Sequence, residues 1–233
     1  MATENQSIWI VRYGLTKFPL VENKGPYDSP IDPTEGVDHA IAIANCIASA
    51  ADKPTVVYAS PFLRTTETAH RIAQACGCPV HIEEGLTEWQ TPSLLVDEAG
   101  NRTQPKSTSA LALLYATVNA DYVSVNPADG SKDAPEFPES EEALLRRCAK
   151  TMRELLHITK GNLCIVSHAP CDQGIAYWLE GAASPKTSKL TAWPLGGITK
   201  FRCGALELYG NTSRMPGIYE PGIKSWSLPC LEK

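Results

Sequence analysis

A chain of 233 residues is long enough to bury one substantial core, and its 43% hydrophobic and 20% charged residues exclude a disordered or fibrous polymer. A net charge of -5 argues against broad contact with nucleic acid or an anionic membrane surface. No apolar run approaches the roughly 20 residues that a membrane-spanning helix needs, and residues 1–7 lack the basic and apolar pattern of a signal peptide, so the expected location is cytosol or nucleus.

Residues 7–11 (Ser-Ile-Trp-Ile-Val) read as a short buried strand that ends in Arg12-Tyr13-Gly14. Residues 18–33 carry four prolines and a glycine and read as a structured loop. Apolar residues at helical spacing predict a helix over 37–51, stopped by Asp52-Lys53-Pro54. A second buried strand follows at 55–59, then Ser60-Pro61, a helix over 64–76 closed by Gly77, and a strand over 79–82. Residues 91–138 form a long Ser/Thr/Pro/Asp-rich insertion broken by one apolar patch, 110–118, and such a segment is expected to be a functional lid or mobile surface loop. A strongly amphipathic helix over 139–156, a third buried strand over 163–166 and a helix over 170–179 complete the regular pattern. Residues 198–209 resemble late or edge strands, and the tail from Asn211 is rich in Pro and Gly.

The eight cysteines are scattered, mostly inside apolar runs. Cys76-Gly77-Cys78 is close-spaced, but no second pair completes a four-ligand zinc site, so reduced, largely buried thiols are expected and no metal or cofactor is implied. Asn-x-Ser/Thr triplets at Asn5, Asn101 and Asn211 read as chance matches without a secretory signal.

Strands alternating with helices imply a single α/β domain: a doubly wound, mostly parallel sheet with helices on both faces and a long insertion at 91–138. In such sheets, sites gather at the C-terminal ends of the strands. Arg12-Tyr13-Gly14, Ser60 to Arg64, Glu84 with Glu88, and Ser167-His168-Ala169 all follow strands, so two arginines, a histidine and a carboxylate are expected in one crevice. Singly, each has an ordinary reading: a surface cation, a solvated helix start, a core histidine, a surface acid beside Trp89. Their joint placement carries the argument. Planar guanidinium forks match phosphoryl oxygens, a histidine adds a donor, and a glutamic acid beside them can protonate a departing alkoxide.

The pattern resembles the histidine phosphatase, or phosphoglycerate-mutase-like, superfamily. That family opens with a strand and Arg-His-Gly, where this chain has Arg12-Tyr13-Gly14. Its Ser-Pro-x-x-Arg-x-x-x-Thr signature is met in full by residues 60–68, its late Ser/Thr-His by Ser167-His168, and its Leu-Thr-x-x-Gly helix entry is similar to residues 32–36. Gly85-Leu86-Thr87-Glu88-Trp89 and the insertion resemble the branch of the suppressor-of-T-cell-receptor-signalling phosphatases and the phosphatase-like subunit of TFIIIC. The resemblance implies that Arg12, Arg64, His168 and Thr16 bind phosphate, that Glu88 donates a proton, and that Tyr13 occupies the nucleophile position. Some active members of the branch carry Arg where this chain has Thr16, although Thr is common in the wider family.

A neutral imidazole offers a ring nitrogen for attack on phosphorus. A tyrosine phenol, with a pKa of about 10, is phenolate in about one part in a thousand at neutral pH. Flanking arginines lower such a pKa by ~1–3, yet an aryl phosphate lacks the labile P–N bond of phosphohistidine, so turnover should stall. The longer phenol is expected to fill part of the pocket and to hydrogen-bond to an arginine, His168 or Glu88. Tyr13 is either natural, giving a pseudophosphatase, or a single-codon change in an active enzyme. Three functions follow: an inactive or very weak phosphatase that binds a phosphorylated small molecule or phosphoprotein; a working phosphomonoesterase; or an interaction subunit of a signalling or transcription complex. A homodimer fits the branch by analogy.

Overall fold

The structure, a computed structural model, describes residues 6–17, 28–95, 103–127, 137–184, 186, 188–216 and 225–231. Residues 18–27 of the 18–33 loop, residues 96–102 and 128–136 of the insertion, and Asn5 and Asn101 lie outside them.

Six strands form one sheet in the order β3-β2-β4-β1-β5-β6. They are β1 (Ser7–Arg12), β2 (Val56–Ala59), β3 (Val80–Ile82), β4 (Leu163–Ser167), β5 (Ile198–Arg202) and β6 (Ala205–Asn211). The first four are mutually parallel, and β5 and β6 add on antiparallel beside β1. The expected doubly wound architecture is therefore present. Of the two late strands, β6 is the edge and β5 is interior, joined through Cys203 (φ 51°) and Gly204 (φ 79°), the left-handed pair that a two-residue hairpin turn requires.

Alternating side chains send Ile8, Ile10, Tyr58 and Ile165 to one face, and Trp9, Val11, Val57 and Val166 to the other. The first face is covered by α5 (Glu141–Ile158) and α6 (Ala169–Glu180), through Leu144, Met152, Leu155 and Ile175. The second is covered by α1 (Glu35–Ala48) and α2 (Leu63–Cys76), through Ile43, Ile47, Ala69 and Ile72. Helix α1 starts two residues earlier than its apolar spacing predicts, because Asp32 Oδ1 accepts the N–H groups of Thr34 and Glu35 and so caps the first turn. Helix α2 ends at Gly77 in the left-handed conformation, as expected.

The insertion departs from the expectation of a mobile surface loop. Its ends are tied by reciprocal bonds between Gln90 and Glu139. The short helices α3 (Pro92–Leu95) and α4 (Thr108–Leu114) bury Leu95 and Leu111, and Val118 bridges to Val80 of β3. The apolar patch 110–118 is thus divided, half helix and half a sheet-edge bridge. Glu83, fully buried at the end of β3, accepts from the Tyr122 and Ser124 hydroxyls and the backbone N–H groups of Val125 and Asn126. Buried carboxylates demand such donors, and here the insertion supplies them.

All eight cysteines are free thiols, four of them buried; Cys203 is exposed in the β5–β6 turn. Among the described residues no helix is long and apolar enough to cross a membrane.

The segment after β1 is held by a close backbone approach. A Cβ on Gly36 would lie 2.2 Å from the Leu15 carbonyl oxygen, and one on Gly14 would lie 2.9 Å from the Gly36 oxygen. Neither obstacle is a side chain that can swing away. Gly36→Ala should cost about 1–3 kcal/mol through overpacking, read as a lower denaturant midpoint with an unchanged slope.

Candidate functional site

The C-terminal ends of the parallel strands converge on one buried cluster. Arg12 closes β1 opposite Ser167 of β4, Ser60 follows β2, and His168 follows β4. Glu88 is delivered by a short 3-10 turn, Glu84–Leu86, after β3. Arg64 projects from the first turn of α2, where a helix N-terminus disfavours a cation. Its Nη2 lies 3.3 Å from Glu88 Oε2 and 3.1 Å from His168 Nδ1, and that same nitrogen of His168 lies 3.0 Å from Glu88 Oε2. His168 Nε2 lies 2.8 Å from the Ser60 hydroxyl. In a neutral imidazole, donation from Nδ1 to Glu88 leaves Nε2 to accept from Ser60, which satisfies all three groups.

The Ser-Pro-x-x-Arg-x-x-x-Thr pattern has a local cause. The Ser60 carbonyl accepts from the hydroxyls of Thr65 and Thr66, closing the turn into α2. One turn after Arg64, the Thr68 hydroxyl donates to the Arg64 carbonyl and accepts the Gly14 N–H, tying helix and β1 loop together. Ser60 and Thr68 were visible in the motif, but their roles as a histidine partner and a loop tie were not.

Glu88 is fixed from behind. The Trp89 N–H donates to Glu88 Oε1, and Arg147 of α5 donates to the carbonyls of Gly85 and Thr87 while forming a doubly bonded, buried pair with Glu139. Burial opposes the charge on Glu88, but the adjoining His168 and Arg64 outweigh it and hold the carboxyl down at about 2. Burial, reinforced by Arg64 and Arg12 against the opposing pull of Glu88, depresses His168 from 6.5 to about 4. At neutral pH the cluster is a guanidinium paired with a carboxylate beside a neutral imidazole.

Tyr13 is enclosed, 4% exposed. Its ring meets the His168 ring edge-on at 5.5 Å, the Arg64 guanidinium carbon lies 5.0 Å from its centroid, and that of Arg12 lies at 5.7 Å. The expected hydrogen bond from its hydroxyl to an arginine, His168 or Glu88 is not formed among the described residues. Arg64 directs a donor to Glu88 and meets the tyrosine through its aromatic face instead, a cation–π contact. Phe62 closes the cluster, 4.7 Å from the Arg64 guanidinium and 5.3 Å from the His168 ring. Sequence reasoning gave Phe62 no role. Arg12 is half-buried and donates from Nη1 to the Trp193 carbonyl. Thr16 is bridged to Ile31.

A six-stranded, mostly parallel α/β sheet with two arginines, a histidine and a glutamate at its carboxyl edge is the architecture of the phosphoglycerate-mutase-like fold class. The sequence profile of the histidine phosphatase superfamily (branch 1) matches residues 8–205, and the chain belongs to that family. Over 94 residues it is 34% identical to the transcription factor tau 55 kDa subunit of Saccharomyces cerevisiae, covering 37% of this chain and only 21% of that protein. Among solved structures it is similar to the ecdysone phosphate phosphatase of Bombyx mori with tungstate, at 16% identity and a TM-score of 0.66, covering 93% of this chain and 95% of that one. It is also similar to a histidine-to-alanine mutant of phosphoserine phosphatase from Entamoeba histolytica in complex with phosphoserine, at 20% identity and a TM-score of 0.57, covering 91% and 100%.

The depressed pKa values set an acid limit. Unfolded chains bind the His168 proton near pH 6.5 and the folded protein only near 4, so this stabilisation is complete above pH 6.5 and is lost as pH falls to 4. Glu88 adds a second loss as pH falls from its ordinary 4.5 to about 2. Unfolding free energy should therefore fall between pH 6.5 and 4 by up to about 1.4 kcal/mol per pH unit, and His168→Asn should flatten that slope while lowering stability at neutral pH.

Proposed function

We propose that this protein holds a phosphorylated small molecule or phosphoprotein segment in a retained oxyanion pocket and does not turn it over. The observation that carries this reading is the Tyr13 ring, buried against Arg64, Arg12 and His168 at the position that the family pattern gives to the phosphorylated histidine. Two further points support it. Glu88 is ionised, so it has no proton to give to a leaving alkoxide at neutral pH. The Entamoeba variant named above is in complex with phosphoserine although a histidine has been replaced, so in that relative holding such a ligand survives the loss of an imidazole.

In this reading a ligand phosphate competes with Glu88 for the Arg64 guanidinium and displaces the Tyr13 ring. Purified protein should hydrolyse a generic aryl phosphate no faster than an Arg64→Ala control, and Tyr13→His should raise the rate by at least about a hundredfold, since it restores a nucleophile and removes bulk. Comparable, Arg64-dependent turnover in the unchanged protein and Tyr13→His would overturn the reading and identify a working phosphomonoesterase.

A second reading is favoured by the 34% identical segment shared with the yeast transcription factor tau subunit. Here the fold serves as an interaction subunit in a transcription complex. The insertion offers a contact surface, with Leu113 (90% exposed) and Leu114 (57%) on α4 and Val123 (81%) beyond it. Affinity capture from nuclear extract should then recover a stable partner that is retained in Arg64→Ala and lost in a Leu113→Glu, Val123→Glu double variant. Loss in Arg64→Ala alone would return the interaction to the pocket.

A further inference from the structure

One buried acid beside the cluster stands outside the Arg64–Glu88–His168 contacts. Asp172 lies in the first turn of α6, four residues after His168, whose carbonyl accepts the Asp172 N–H at 2.8 Å. His168 is the N-cap of α6, so this bond closes the first helical turn and keeps Asp172 one turn from the histidine. Asp172 is 0% exposed, and neither of its carboxyl oxygens has a hydrogen-bond partner among the described residues. An ionised carboxylate in that setting has lost water and gained no donor, which is the most costly state a buried acid can occupy. The neutral acid is cheaper, and it brings an O–H donor into the interior.

We propose that Asp172 is a proton-bearing acid of the oxyanion pocket, donating a hydrogen bond to an anion held by Arg12 and Arg64 and making anion affinity fall as pH rises. The inference rests on the pocket reading above and adds to it a ligand preference: an oxyanion with an acceptor oxygen to spare after the two guanidinium groups are engaged. The groups facing Asp172 come from every element around it. They are Arg12 at the end of β1, Glu88 after β3, Cys164 of β4, and Cys171 on α6 itself. Burial is the main force keeping the proton on Asp172, Cys171 and Glu88 add to it, and Arg12 opposes it, with the pKa well above the carboxylate range. Glu88 and Asp172 thereby divide the work between two carboxyls: one is ionised and balances Arg64, the other is neutral and donates. A neutral donor leaves the positive potential of the two arginines intact, whereas an ionised Asp172 would repel the ligand.

The test uses sulfate, whose charge stays constant across the neutral range, with calorimetric binding to the full chain, Asp172→Asn and Asp172→Ala at several pH values. The unchanged protein should lose at least about tenfold in affinity as pH rises through the Asp172 titration. Asp172→Asn, which keeps a donor and cannot ionise, should bind with a flat profile near the low-pH value. Asp172→Ala should bind more weakly at low pH and also be flat. Infrared spectroscopy provides an independent readout: the carbonyl stretch of a protonated carboxyl should be present at neutral pH, disappear with alkaline titration and be missing from Asp172→Asn. If that band is absent, or if the unchanged protein and Asp172→Asn share one pH profile, the assignment is wrong. If the band is present but sulfate binds at no pH, the pocket reading itself fails and takes the donor role with it. Should both variants fail to fold, the band and sulfate profile of the unchanged protein must still titrate together, and separate titrations overturn the proposal.

Discussion

A guanidinium buried to 1% exposure in the first turn of a helix is the constraint around which this molecule is organised. Arg64 is out of water and sits where the helix macrodipole is unfavourable to a cation. Two strand ends answer that charge: β3, through the 3-10 turn, brings Glu88, and β4 brings His168, which donates to the Glu88 carboxylate and orients it. Removing either partner of a buried ion pair typically costs 3–5 kcal/mol because the other charge is left uncompensated. The demand spreads outward. Glu88 can serve only if residues 85–90 hold still, which they do because Arg147 binds the Gly85 and Thr87 carbonyls and pairs with Glu139, itself bonded to the Gln90 N–H. The ends of the insertion are thereby fastened to the back of the site.

That chain of dependence explains which features were legible in the sequence. Strands with β-branched runs and helices with a clean apolar stripe came through within a few residues, since their signals are local. Arg12, Arg64, Glu88 and His168 were legible as a set because each follows a strand in a parallel sheet, where topology brings such positions together. Glu83, Glu139 and Arg147 were not, because each resembles a surface charge in a linear reading and binds a segment about 40 to 60 residues away, although Glu139 and Arg147 also pair with each other across eight residues. The insertion was misjudged for the same reason. Its composition suits a solvated loop, yet Leu111, Val118 and Asn126 have buried places that only β3 and α5 define. Asp172 gave no signal at all, being one acid in an apolar helix.

The same electrostatics bear on Tyr13. A cationic pocket at the end of a sheet needs negative charge, supplied either by a ligand or from within. Here Glu88 supplies it, and its carboxyl is held near 2. An ionised Glu88 balances the Arg64 guanidinium, and the Tyr13 ring packs against that same group. The two observations concern different residues reached from different strands, yet both keep charge complementarity within the cluster.

Ligand binding in such a site is a substitution and not a filling. An incoming oxyanion must offer Arg64 more than Glu88 already does, and must also repay the Tyr13 ring for its contacts with two guanidinium groups, worth about 0.5–2 kcal/mol each. A simple oxyanion must meet these costs through its contacts with the guanidinium groups alone. A ligand whose phosphate is attached to a larger body gains from remote contacts as well, and those are realised only if the pocket opens. In the pocket reading, a bare oxyanion and a phosphoryl group on a larger scaffold therefore share the same guanidinium contacts, and what distinguishes their affinities is the part of the ligand that lies outside the cluster.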